Sequence, residues 1–212
     1  MQKPAGLNPE IEEYIEGKII PQYGNFDKAH NINHIRRVIQ VSLEMARDYS
    51  VDFNLIYVIA AYHDIGMPKG RKDHGRHSAE FLLNDNKLRD WFSDEEIKLM
   101  AEAIEDHRAS IAYEPRSIYG KIVSDADNDL RYSSVLKRCL QHGLAYFPQY
   151  DKETHFLRIR EHMEEKYGEG GYLKTWLNTE HDKRGLREIR NKLYKNQQSL
   201  RDDFDRLWDS EH

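Results

Sequence analysis

Cysteine is nearly missing from this chain. Cys139 stands alone among 212 residues, so no intramolecular disulfide can form, and a reducing cytosol is the natural setting. A basic-then-apolar leader is missing too, and no apolar run is long enough to span a bilayer. The expected location is therefore cytoplasmic, with no membrane partner. Excess positive charge is also lacking: 32 basic residues face 37 acidic ones, a formal net charge of -5. That balance gives no electrostatic reason to expect bulk nucleic-acid binding. Internal repeats and low-complexity blocks are absent, and no segment sustains the alternation of a strand. The expected fold is all-α.

What the chain does have is 39% hydrophobic and 33% charged residues, enough to bury a core beneath a heavily solvated surface. Cys139 sits in the run Val135-Leu136-Lys137-Arg138-Cys139-Leu140 and is expected to be packed and inert. Eleven histidines are many for this length, and their positions carry the information.

The helical period recurs throughout. Over 32–49 it predicts an amphipathic helix with Ile35, Val38, Ile39, Met45, Ala46 and Tyr49 on one stripe and His34 in its first turn. Phe53 to Ile65 is apolar on nearly every side, a central buried helix ended by Gly66 and Pro68. His63 and Asp64 therefore project from its last turn. A third helix is expected over 77–88. Ser93-Asp94-Glu95-Glu96 is a capping-box start; the helix it opens carries Ile97, Met100, Ala101 and Ile104 inward, and the same spacing puts His107 on that face. A helix from about Ser117 aligns Tyr119, Val123 and Asp127. Asp125 competes with Asp127 but falls about 160° from that face at the helical pitch. Further on, Gly168-Glu169-Gly170-Gly171 marks a loop. After Gly185 one long amphipathic helix is expected, with Leu186, Ile189, Leu193, Leu200, Phe204 and Leu207 on one face. That face fits packing on the main bundle, and it also fits a homodimer or partner surface.

His34, His63-Asp64, His107 and Asp127 thus lie on or beside inward-facing helical surfaces. Buried carboxylates and several buried imidazoles cost free energy unless compensated. A divalent metal compensates them directly, keeping the carboxylates ionised and the imidazoles neutral. Mixed nitrogen and oxygen donors suit Mn, Fe, Ni, Co or Zn better than Ca, with Mg a further candidate. Singly, each residue has an ordinary explanation: a hydrogen-bonded core histidine, a capping aspartate, a surface acid. Those explanations would all have to hold together.

The segments Ala29-His30-Asn31-Ile32-Asn33-His34-Ile35-Arg36-Arg37-Val38, Ala60-Ala61-Tyr62-His63-Asp64-Ile65-Gly66 and Lys121-Ile122-Val123-Ser124-Asp125-Ala126-Asp127 carry a resemblance. In order and spacing they resemble the HD-domain superfamily of metal-dependent phosphohydrolases, whose pattern is a histidine, a His-Asp doublet and a distal aspartate. The resemblance runs from about Ala29 to Phe147. It implies an HD-type helical bundle over 1–147 and a C-terminal helical extension over 148–212 packed on the same core. It also implies that His34, His63, Asp64 and Asp127 bind a first metal. Asp73 to Leu82 and Ala103 to His107 look like the segments that supply further histidines in two-metal members. His74 and His107 would then complete a second site bridged by Asp64, with His77 the alternative to His74. One ion follows from the first set, two from both.

The chemistry so implied is hydrolysis of a phosphoester or phosphoanhydride in a small phosphorylated molecule, a nucleotide by expectation, by metal-activated water. Cations must hold the anionic substrate. The candidates are Lys69, Arg71, Lys72, Arg76, Arg108 and Arg37; Lys69 and Arg108 rank first because they closely follow metal ligands, and with Asp64 they are the expected catalytic residues. Departures narrow the substrate. Met67 stands where many relatives carry a lysine and where nucleoside-monophosphate phosphatases carry a glutamate. No Glu-Asp, as in alarmone hydrolases, follows shortly after the doublet, and no Gly-Tyr-Pro, as in cyclic-dinucleotide hydrolases, lies within Arg108 to Pro115. What remains is the broad class of small cytoplasmic members, some of which resemble nucleotide pyrophosphohydrolases or dinucleoside-polyphosphate hydrolases. The alternative is a nucleotide- and metal-binding regulatory module without turnover, and a metal-free helical interaction protein is the third reading.

Overall fold

The computed structural model describes residues 6–26, 30–108, 111 and 113–211; Ala29, where the resemblance begins, lies outside them. Among the described residues there are helices and turns but no strand. None of these helices is long and apolar enough to cross a membrane. Contacts divide the chain into two compact units, Met1–Asn128 and Asp129–His212. The break falls after Asn128, earlier than the 147/148 division expected from the sequence, and the second unit has a hydrophobic cluster of its own.

In the first unit, α1 (Pro9–Tyr14) starts at an Asn8 cap with proline in the first turn. It runs on through a wide turn, Ile15–Ile19, and a tight one, Ile20–Asn25, burying Ile11, Ile15, Ile19, Ile20 and Tyr23. Helix α2 (Ile32–Met45) is capped by Asn31, whose side chain accepts from the N–H groups of Asn33 and His34. Its buried stripe is Ile35, Val38, Ile39 and Leu43, and it passes into a tight turn at Ala46 instead of reaching Tyr49. Helix α3 (Phe53–Tyr62) buries every residue from Leu55 to Tyr62, which is why no polar face is legible in it.

Helix α4 (His74–Leu83) begins three residues before the expected start, and Asn86–Asp90 is a separate tight turn. Its first turn is polar, so apolar spacing cannot reveal it. Helix α5 (Asp94–Glu105) opens with the expected reciprocal capping box of Ser93 and Glu96. Helix α6 (Ile118–Asp127) is capped by Ser117.

The second unit holds α7 (Tyr132–Tyr146), α8 (Lys152–Tyr167), α9 (Glu180–Arg190) and α10 (Gln197–Glu211). Its core joins Val135, Leu136, Leu140, Ile159, Met163, Ile189, Leu193, Leu200 and Phe204, so α7 belongs with the C-terminal helices. The single helix expected after Gly185 is in fact two. The first starts at Thr179 with a capping box to Asp182, and the chain leaves helical geometry at Asn196. Gly185 is interior to α9, where a Cβ would lie 2.7 Å from the Leu130 carbonyl oxygen, so this close approach calls for glycine. The apolar face read from the sequence is covered within the unit, with Leu186 and Leu207 packed against the same core. Cys139 packs there too, and burial pushes its thiol pKa up.

Candidate metal centre

The end of α3 sets the geometry. Beyond Tyr62 the chain tightens: Ile65 N–H donates to Tyr62 O at 3.1 Å and Met67 N–H to Asp64 O at 2.9 Å. Gly66 does more than stop the helix. Its N–H donates to Ser78 Oγ at 2.9 Å, and a Cβ there would lie 2.5 Å from Ser78 N and 2.7 Å from His74 O. Only a residue without a side chain lets α4 lie against this turn, and that contact carries His74 toward Asp64. From the other side the buried Tyr23 hydroxyl donates to Ala61 O at 2.8 Å.

Asp64 is 3% exposed and stands at the middle of the cluster. Its Oδ2 lies 3.4 Å from His34 Nε2 and 3.4 Å from His63 Nε2. Its Oδ1 lies 3.2 Å from His74 Nε2 and 3.5 Å from His107 Nε2. Asp127 Oδ1 closes the first set, 3.2 Å from His34 Nε2 and 3.8 Å from His63 Nε2. Three groups of donor atoms lie within 4.8 Å of one another: His34, His63 and Asp64; His63, His107 and Asp127; Asp64, His74 and His107. All six residues expected to bind metal therefore meet. His77 does not join them; its Nδ1 faces Glu80 at 3.4 Å. Asp125 is buried but is in none of the three groups.

The imidazoles are aimed by backbone carbonyls one turn back. Nδ1 of His63 meets Ala60 O at 2.8 Å, that of His74 meets Arg71 O at 2.7 Å, and that of His107 meets Ile104 O at 2.5 Å. A carbonyl can only accept, so each Nδ1 carries a proton and each ring turns its Nε2 inward. His74 and His107 Nε2 are then 3.0 Å apart, two lone pairs face to face unless a cation is shared.

Charge follows the same geometry. Burial works against a charged His34, but Asp127 and Asp64 outweigh it and raise its pKa. For His63, burial is again overcome, chiefly by Asp64, and the pKa rises to about 10. Burial would raise Asp64 and Asp127, yet the facing histidines hold both well below the usual carboxylate range. His107 is pushed down by burial.

The donors fit a metal ion on three counts. The Nε2 atoms of His34 and His63 are buried without a hydrogen-bond partner. Metal–ligand bonds of about 2.1 Å imply donor–donor edges of about 3.0–3.4 Å, the spacing of the cluster's shorter contacts. The mixed nitrogen and oxygen set matches a first-row divalent ion.

Around this centre the cations are placed unevenly. Arg37 donates to Ala126 O and Asp127 O, both at 2.9 Å, and so clamps the end of α6 that bears Asp127. The Arg108 guanidinium reaches Lys72 O, beside His74. Arg76 pairs with Glu80 on the surface. Lys69 lines a groove with Tyr14, Lys18 and Phe81 that none of the six donor residues lines. Asp106 escaped the sequence reading. It is fully buried and accepts from Tyr113, the Arg116 backbone and the Arg116 guanidinium, anchoring the turn that presents His107. Its one sequence signal is adjacency to His107, since Arg116 meets it only in the fold.

Comparison with known proteins bears on this segment. Residues 31–131 match the family model described as the HD domain. A solved structure of a predicted HD superfamily hydrolase from an uncultured Thermotogales bacterium is 23% identical, with a TM-score of 0.47, covering 72% of this chain and 83% of that one. No curated protein matches the chain.

Proposed function

We propose, from the match of residues 31–131 to the HD-domain family model, that the chain is a metal-dependent phosphohydrolase acting on a small phosphorylated substrate, with nucleotides as the class. One observation carries the reading: the two oxygens of Asp64 face different pairs of inward-turned imidazoles, Oδ2 toward His34 and His63, Oδ1 toward His74 and His107. His34, His63, Asp64 and Asp127 would hold a first divalent ion. His74 and His107 would hold a second, with Asp64 shared. Bound there, such an ion polarises a phosphoryl oxygen and brings the pKa of water into the neutral range. Mn, Fe, Ni, Co and Zn are the candidates, with Mg behind them.

The residues of the chain supply the rest. Carbonyls at Ala60, Arg71 and Ile104 lock the ring tautomers, so no reorientation is needed when the site loads. Arg37 fixes Asp127 through the backbone. Arg108, next to His107 in sequence, would be the cation that holds a substrate oxygen. Lys69 opens onto a separate groove and is not assigned to the reaction.

The test is hydrolysis. Chain loaded with each candidate metal is offered a nucleotide panel, and phosphate, pyrophosphate or nucleoside monophosphate release is followed. Turnover that disappears in a folded Asp64→Asn variant supports the reading; tight nucleotide binding without product would point to a regulatory module instead.

A further inference from the structure

The groove that takes in Lys69 is a feature the metal centre does not use. It lies between the extension of α1 and the C-terminal half of α4, with a volume of about 710 Å³, within the range of small-molecule sites. Its walls are Ile19, the Tyr14 ring and the half-buried Phe81 ring. Its carboxylates are already engaged. Asp85 Oδ2 accepts from Tyr14 at 2.7 Å and from Tyr62 at 2.5 Å, and Oδ1 accepts from Lys87 N–H at 3.1 Å. Glu80 is held by Arg76 and faces His77.

The ammonium groups differ. Lys18 and Lys69 line the groove from separate turns, and neither pairs with a carboxylate among the described residues. Gln22 donates its amide N–H to Lys18 O at 2.9 Å, leaving its amide oxygen uncommitted and holding the Lys18 backbone in place. Glu80 is paired with Arg76 and the Asp85 oxygens are taken up by three donors, so the two ammonium groups are the uncommitted charges of the groove, beside two ring walls. We infer that this groove binds a small phosphate-bearing ring compound of the nucleoside phosphate class, its phosphate between Lys18 and Lys69 and its ring against Phe81 and Tyr14. Lysine serves phosphate as a mobile point charge, and the aromatic walls accept any planar base. Because His34, His63, Asp64, His74, His107 and Asp127 all lie outside this groove, the site is separate from the metal centre and its occupancy needs no metal.

The test uses the full chain stripped of metal by chelation, which keeps it independent of hydrolysis. ADP and inorganic pyrophosphate are the probes, titrated by calorimetry and by the fluorescence of Trp91, whose ring is 5.6 Å from that of Tyr14. Saturable ADP binding is expected, weakened tenfold or more in Lys18→Gln and in Lys69→Gln, both surface positions. Phe81→Leu should weaken ADP several-fold and leave pyrophosphate unchanged. Asp64→Asn should leave ADP binding to the stripped chain intact. No saturable binding at millimolar ADP, a Lys18→Gln variant that titrates like the parent, or loss of binding in Asp64→Asn would each overturn the inference.

Discussion

Loading the centre with metal should eject protons, and the number follows from the geometry. In the metal-free chain Asp64 and Asp127 hold His34 and His63 above their ordinary pKa, His63 at about 10. The His63 ring is therefore charged at pH 7, and His34 is shifted in the same direction. The Nδ1 proton of His63 is committed to Ala60 O, so the proton to be lost is the one on Nε2, where an ion must bind. His63 therefore gives up one proton per first ion, and His34 a second wherever it is charged. Each released proton makes affinity rise about tenfold per pH unit, or about 1.4 kcal/mol. The gain is about tenfold per unit from neutrality toward the His63 value, and about a hundredfold per unit wherever His34 is charged as well. Calorimetric titration of Mn into stripped protein, in buffers of different ionisation enthalpy at several pH values, counts the protons directly. Affinity that does not change with pH, or binding that releases no proton, would refute the assignment of charged, Nε2-protonated rings.

The same shifts set stability. Raised histidine values stabilise the metal-free chain below their unfolded pKa of about 6.5, and that contribution is lost as pH rises through the folded values. Its Tm should fall from pH 7 toward 10, while the metal-loaded chain holds its Tm across that range. Lowered Asp64 and Asp127 values contribute above about 3.9 and are lost on acidification through the folded values. Gly66→Ala should force α4 off the His-Asp turn and weaken the second ion more than the first, read as metal stoichiometry by elemental analysis. Arg37→Gln should lower first-ion affinity about 10–100-fold with the helical circular dichroism unchanged, as expected for loss of a group that orients a ligand. Gly185→Ala should destabilise the second unit by about 1–3 kcal/mol through collision with Leu130, seen in a thermal melt.

Helix content was legible because apolar spacing reports which face is buried. The stripe of α2 and the capping box of α5 are local events, settled within a few residues. The start of α4 was not legible, since its first turn, His74 to His77, carries no apolar residue. Nor was the break at Asn196, where nothing in the apolar spacing interrupts the face shared by α9 and α10. The expected ligands were named from order and spacing together with a resemblance. The choice of His74 over His77 came from position alone, and the roles of Arg37, Asp106 and Gly66 were not visible.

By itself the sequence determined an all-helical chain without disulfides, with histidines and aspartates set at inward positions, because residue type and period decide burial one helix at a time. Only the tertiary structure decided that four imidazoles and two carboxylates share one centre, that Lys69 faces a different groove, and that α7 belongs to the second core. Those outcomes depend on where helices far apart in the chain cross. Close approaches such as Gly66 against α4 set those crossings, and such contacts leave no periodic trace in the order of residues.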